Sequence, residues 1–235
     1  MFQSIRSVIP LCLILVQLAI GRVCSSQDIF VCIGVELELN GQSLTDGIDD
    51  YSQGPGDSLR IDKLRFYIAH VQLIQEGRVI GKSVVEYQLV DMEDPTSLKI
   101  NCSTSTTRFD HIRFQLGIDS LTNVSGAMGG DLDPTMGMYW TWQSGYINFK
   151  LEGSSPACPA RNHEFQFHLG GYMPPFNCMQ EIDLAIADAS HDPVVVLDIG
   201  KLVDTHSLQT NHHVMHPGVD AVNISQRVAQ LFEIR

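Results

Sequence analysis

Leu64-Arg-Phe-Tyr-Ile-Ala-His-Val-Gln-Leu73 sets Leu64, Phe66 and Ile68 on alternate positions, with Arg65 and Tyr67 between them. A period of two is what a β-strand with one buried face requires, because successive side chains leave opposite faces of the pleat. The segment runs on to Leu73, and Glu76-Gly77 offers a turn leading into Val84 to Val90, as in a hairpin. The pattern recurs outward from this stretch. Val35, Leu37 and Leu39 alternate with Glu36 and Glu38, and Ile112, Phe114 and Leu116 with His111, Arg113 and Gln115. Ile147, Phe149 and Leu151 alternate with Tyr146, Asn148, Lys150 and Glu152. Phe165, Phe167 and Leu169 face away from Glu164, Gln166 and His168, and Val194 to Ile199 makes a late strand.

Many short strands with Gly- and Pro-containing punctuation and hardly any helical periodicity predict one all-β domain, an antiparallel β-sandwich with long loops. Only the end reads as helical. Asp220 is a candidate cap for a short C-terminal helix in which Ile224, Val228, Leu231 and Phe232 share a face. The irregular stretches Gly41 to Gly56, Ser120 to Pro134 and Thr205 to Gly218 are where a site on a rigid β scaffold is expected.

The chain has 235 residues, 44% hydrophobic and 18% charged, enough for one sizeable core. With 15 basic and 27 acidic residues its formal charge is −12, and no cluster of Lys or Arg interrupts that balance. A phosphate-backbone partner is thereby excluded.

Residues 1–26 read as a secretory signal peptide: Arg6 precedes the apolar run Val8 to Ile20, and the small residues Cys24, Ser25 and Ser26 follow it. That run, interrupted by Pro10 and Gln17, is short of the ~20 residues of a membrane span. The domain then covers residues 27–235 and keeps Cys32, Cys102, Cys158 and Cys178. An even number of cysteines in an oxidising compartment predicts two disulfides. Three pairings are open. Cys158 with Cys178 is favoured because the two bracket one strand-like segment, which leaves Cys32 with Cys102. None stand at CxxC spacing, so a zinc knuckle or thioredoxin-like motif has no support.

Nine histidines invite a metal hypothesis, since neutral imidazole is the commonest transition-metal ligand. His168 lies on the polar face of its strand. His212, His213 and His216 stand with Met215 in one loop, a set of imidazole and thioether donors suited to copper. His163, His191, His206 and His111 read as surface residues, and His70 as a satisfied core histidine. Trp140 and Trp142, two apart, are expected side by side on one strand face, as core or as a sugar-stacking platform. Asp119 to Asp133, with Asp131-Leu-Asp133-Pro, offers hard oxygen donors for calcium, without the spacing of an EF-hand loop. No nucleophile elbow, His-Glu-x-x-His, phosphate loop or dinucleotide fingerprint is present, so the residues themselves recommend no enzyme.

Taken in order, Leu64-Arg-Phe-Tyr-Ile-Ala-His-Val-Gln-Leu73, Tyr87-Gln-Leu-Val-Asp91, Phe114-Gln-Leu-Gly-Ile-Asp119, Leu132 to Tyr146 with its Trp-x-Trp-x-x-Gly-Tyr core, Lys150-Leu-Glu-Gly153 and Phe167-His-Leu-Gly-Gly171 resemble the secreted MbnP-like proteins. Val214-Met-His-Pro-Gly218 resembles the branch found outside methane oxidisers. The resemblance implies a periplasmic or extracellular copper-binding protein in which histidines and a tryptophan-derived kynurenine hold Cu(I), the tryptophan being oxidised by a partner di-haem cytochrome c peroxidase-like enzyme. Carried over, Trp140 or Trp142 is the modified position and His168 the histidine within a family motif. Relatives from methane oxidisers place a histidine after the Asn that is Asn123 here, where this chain has Val124. The resemblance then implies a missing ligand, or one supplied by His212, His213 or His216. The alternative expectation is a non-catalytic surface module with structural calcium and an aromatic platform of Trp140 and Trp142.

Overall fold

The computed structural model describes residues 28–44, 51–54, 57–187, 192–203 and 208–235. The signal-peptide reading of residues 1–26 therefore lies outside the described residues, as do His191 and His206.

Among the described residues fifteen strands form one connected sheet. In chain order they are β1 Ile29–Leu39, β2 Gln42–Ser43, β3 Tyr51–Gly54, β4 Asp57–Gln75, β5 Arg78–Ser83, β6 Tyr87–Asp91, β7 Lys99–Thr104 and β8 His111–Leu116. There follow β9 Tyr139–Trp140, β10 Gly145–Ser154, β11 Glu164–Gly170, β12 Gln180–Ala185, β13 Val194–Asp198, β14 His213–Val214 and β15 Phe232–Ile234. Among the described residues two α-helices are bounded, α1 Ser120–Val124 and α2 Val219–Ala229.

The organising element is β4, which contains the stretch that reveals the fold. At Phe66 it lies between Phe149 of β10 and Val90 of β6; at Gln72 it lies between Arg113 of β8 and Lys82 of β5. β8 has replaced β10 by Ile68, and β5 replaces β6 across His70, whose φ of +51° is left-handed and where the β4–β8 register shifts. A bulge of this kind bends a strand and increases its twist. The sheet consequently curls, along the order β14-β11-β10-β4-β5-β7-β1-β13-β15, instead of remaining flat.

The all-β expectation holds, but not the antiparallel sandwich: β1 pairs with β13 and β11 with β14 in parallel, giving a mixed, curled sheet. Parallel neighbours need long crossovers, a non-local feature that alternation does not encode. The hairpin after Glu76-Gly77 also closes earlier than expected. Its second strand is Arg78–Ser83, and Val84 and Val85 are exposed between β5 and β6.

The concave side of the sheet holds the main core, where Phe66 packs on Phe149 and, edge-on, on Phe232, which also meets Phe114. Phe232 was expected on the C-terminal helix but belongs to β15. Helix α2 is capped at Gly218, with Asp220 inside its first turn, and buries Ala221, Ile224, Ser225 and Val228.

A second cluster occupies the other face of the same strands: Tyr67, Leu89, Ile118, Leu132, Met138, Trp140, Tyr146 and Ile147. Two tyrosine hydroxyls pin the covering loops to the sheet, Tyr67 donating to the Asp131 carbonyl (2.9 Å) and Tyr146 to that of Leu132 (2.9 Å). Gly117, at φ +102°, is needed where the chain enters this layer, because a Cβ there would lie 2.3 Å from Asn148. The Asn148 Oδ1 in turn accepts from the Ile118 N–H at 3.1 Å.

All four described cysteines are free thiols, against the two disulfides expected. Cys32 pairs with Asn101 and Cys102 with Val31, so the two cysteines are one register step apart and leave opposite faces of the sheet. Cys158 donates to the Glu164 carbonyl and Cys178 to the Gly170 carbonyl, the two ends of β11. A strand of seven residues separates its ends by roughly 20 Å, whereas a disulfide needs Cα atoms within about 7 Å. Bracketing a strand thus keeps the pair apart.

Candidate functional site

The site is built on the solvent-side face of β10 and β11. Register pairs Lys150 with His168 and Glu152 with Gln166, and β14 adds His213 beside Gln166. Gln166, His168 and Gly170 alternate with the core residues Phe165, Phe167 and Leu169, so they share one face. His213 therefore stands on the face of His168, one strand over.

His168 is 6% exposed, and its Nε2 lies 2.6 Å from Glu152 Oε1. A carboxylate only accepts, so Nε2 carries the hydrogen and Nδ1 keeps its lone pair. Burial holds the imidazole pKa below the usual histidine value, outweighing the Glu152 hydrogen bond, while Lys150 and His213 further disfavour the charged form. Burial would raise the Glu152 pKa, but the His168 hydrogen bond and Lys150 bring it down overall. At neutral pH the pair is a neutral imidazole oriented by a carboxylate, the arrangement that commonly backs a metal-ligating histidine. Lys150 Nζ stands 3.5 Å from Glu152 and donates to the Gly137 carbonyl at 3.1 Å, tying this face to the loop before Trp140.

Trp140 reaches the same face. A Cβ on Gly170 would lie 2.7 Å from Trp140 Cζ3, so the indole occupies the space above Gly170, two residues along β11 from His168. The Trp140 and Trp142 rings are 5.5 Å apart at 40°. They are neighbours as expected, but not through a shared strand: β9 ends at Trp140 and Trp142 rides the turn into β10. Trp140 is 6% exposed and Trp142 64%.

The histidine loop is divided by the fold. His213 is exposed and joins His168; His212, the preceding residue of an extended segment, points to the other side, with its Nδ1 buried and unpartnered. His216 is exposed, its Nδ1 3.0 Å from the Pro217 carbonyl oxygen. His111 and His163 are at the surface, beside Asp183 and the Cys158 carbonyl. His70 is partly exposed, its ring nitrogens 3.4 Å from Glu86 and 3.5 Å from Asp119. Its environment is a polar rim and not a core: Tyr87 donates to Asp119 at 2.6 Å, and burial with that bond pushes the Tyr87 pKa up to about 12.

The carboxylates expected to hold calcium serve the backbone at separate places. Asp119 caps α1 through the Thr122 N–H, Asp131 accepts from the Leu89 N–H, and Asp133 accepts from the Thr135 N–H. Among the described residues no three His, Cys, Asp or Glu side chains gather as a metal-holding group. Glu152 is the residue sequence reasoning missed as a site member. Its signal was the alternation of Tyr146 to Glu152, which puts Lys150 and Glu152 on the face opposite Phe149 and Leu151.

A curled, mixed β-sheet whose solvent face carries a buried histidine paired with a half-buried carboxylate, beside two neighbouring tryptophans, defines the class. The sequence profile of the MbnP family matches residues 30–217, and the chain belongs to that family. Among solved structures it resembles MbnP from Methylosinus trichosporium, at a TM-score of 0.59 and 15% identity, over 75% of this chain and 78% of the other. At that identity the likeness is one of fold. No curated protein matches this sequence.

Proposed function

We propose that this chain is an exported copper-binding protein in which Cu(I) is held by imidazole, with His168 as anchor and His213 as its neighbour. The carrying observation is the Glu152–His168 pair, which leaves Nδ1 of a buried, neutral imidazole free on the face shared with His213 and Trp140. These donors fit a soft ion of low coordination number better than a hard one, because Asp119, Asp131 and Asp133 already serve backbone N–H groups elsewhere. Family membership supports the same reading, and a signal peptide over residues 1–26 would supply the export.

Trp140 belongs to the proposal as a ligand only after modification. An intact indole N–H is a donor and a poor ligand, whereas opening the ring to kynurenine exposes an aromatic amine. The proposed agent is a di-haem cytochrome c peroxidase-like partner. Two molecules of peroxide would be consumed per tryptophan, releasing the lost ring carbon as formate together with one water. The test of copper binding is Cu(I) titration of the mature protein beside a His168→Ala, His213→Ala double variant. Tight binding lost in the variant supports the reading; equal binding by both overturns it.

The 64% exposure of Trp142 favours a second reading, an aromatic platform on a non-catalytic module with structural calcium. Thermal destabilisation on calcium removal, with no response to copper, would establish it.

A further inference from the structure

Among the segments of this chain that carry no Asp, Glu, Lys or Arg are Ser120–Gly130, Pro134–Phe149 and Phe165–Gln180. Charged residues make up 18% of the sequence, so runs of this length are conspicuous, and the fold brings them together. Ser120 Oγ donates to the Tyr172 carbonyl at 2.6 Å. Asn123 Oδ1 accepts from the Tyr146 N–H at 2.8 Å. A Cβ on Gly145 would meet the Tyr172 ring at 3.0 Å. Helix α1, the turn at Trp142 and the loop after β11 thus adjoin at one end of the molecule and carry no charged side chain of their own, the Asp119 carboxylate being engaged in capping α1.

That end is also apolar at its tips. Leu121 is 79% exposed, Val124 70%, Trp142 64%, Met173 64% and Phe176 37%. Single exposed apolar residues are ordinary, but five on one short helix and its adjoining loops mark an interaction surface. Each costs free energy in water, which only a partner or an apolar phase recovers.

We infer that this end inserts shallowly into a zwitterionic lipid surface. Charge selects the occupant. A second copy also carries −12 and is repelled, as is an anionic bilayer, while a cationic partner is drawn to the acidic remainder of the chain and not to its neutral end. A phosphatidylcholine bilayer has no net charge and accepts Leu, Val, Met and Phe, with Trp142 and the partly buried Tyr139 and Tyr172 at the polar boundary where amphipathic rings settle. Presentation on a single short helix and loop tips suits insertion between headgroups. The inference does not depend on copper.

The experiment is flotation of the mature protein with phosphatidylcholine vesicles, with and without phosphatidylglycerol, and with tryptophan emission recorded. Expected are co-flotation with the neutral vesicles, a blue shift as Trp142 leaves water, and weaker capture on anionic vesicles that salt restores. A Leu121→Asp, Met173→Asp variant should lower partitioning by about tenfold or more, the scale of losing one buried apolar side chain. Both positions are exposed, so circular dichroism and Cu(I) binding should be unchanged. Absence of flotation, capture that requires anionic lipid, or capture undiminished in the variant overturns the inference. A dimer seen by sedimentation and abolished by the same substitutions, without vesicle capture, overturns it in favour of a second copy.

Discussion

Glu152 Oε1 and His168 Nε2 lie 2.6 Å apart across the β10–β11 ladder, and this bond decides which nitrogen of the ring is left to act. Replacing Glu152 by Gln keeps the shape but lets the amide bond either ring nitrogen. Under the copper proposal, Glu152→Gln should weaken Cu(I) binding by about 10–100-fold, the usual effect of an outer-shell partner. The check is competition titration against a chromophoric Cu(I) chelator; unchanged affinity would remove Glu152 from the site.

His168 also gives stability a pH dependence. Burial holds its folded-state pKa below the ordinary histidine value of 6.5, so the unfolded chain binds the proton more readily. Stability therefore rises with pH through the window between the folded pKa and 6.5, and the destabilisation is fully present below the folded value. His168→Gln should flatten this part of the profile. Urea unfolding of both proteins across that window measures it, and parallel profiles would count against the assignment.

Gly170→Ala should destabilise the fold by about 1–3 kcal/mol, the cost of overpacking. The added methyl would stand 2.6 Å from the Tyr146 carbonyl oxygen and 2.7 Å from Trp140. Backbone cannot yield cheaply, so the indole should shift as well. Thermal unfolding and Trp fluorescence together report both effects; a neutral substitution would mean that the strand end adapts.

Thiol labelling separates the cysteines. Cys32 is exposed, whereas burial pushes the Cys102 pKa up to about 12 and that of Cys178 up to about 11. In the folded mature protein Cys32 should react first with a thiolate-selective reagent, and the other three only on unfolding. Alkylation under denaturing, non-reducing conditions should modify all four. Mass spectrometry that finds crosslinked peptides instead would restore the disulfides.

For the modification, intact-mass analysis of protein coexpressed with its cognate di-haem enzyme should locate ring opening at Trp140, the indole that packs over Gly170, and not at the exposed Trp142. Modification at Trp142 alone would uncouple the chemistry from the His168 face, and unaltered tryptophans would remove it from this chain.

Much of the architecture was legible because local alternation carries it. The apolar positions of β1, β4, β8, β10 and β11 were all readable, since a strand with one buried face cannot hide its period. Family motifs marked His168 and the tryptophans. What could not be read depended on distant pairings. The strand between Cys158 and Cys178 was itself readable, and its extended length is what keeps them apart; nothing near Glu152 reveals that β11 brings His168 to it.

The sequence by itself determined an all-β chain, its strand faces, its acidic balance and its membership in a family, because composition and period are local properties. Only the tertiary structure decided the parallel partners of β1 and β11, the curl introduced at His70, the separation of His212 from His213, and the meeting of Glu152, His168 and Trp140 on one face. Those outcomes depend on register between segments far apart in the chain, and a shift of one residue would turn every one of these side chains to the opposite face.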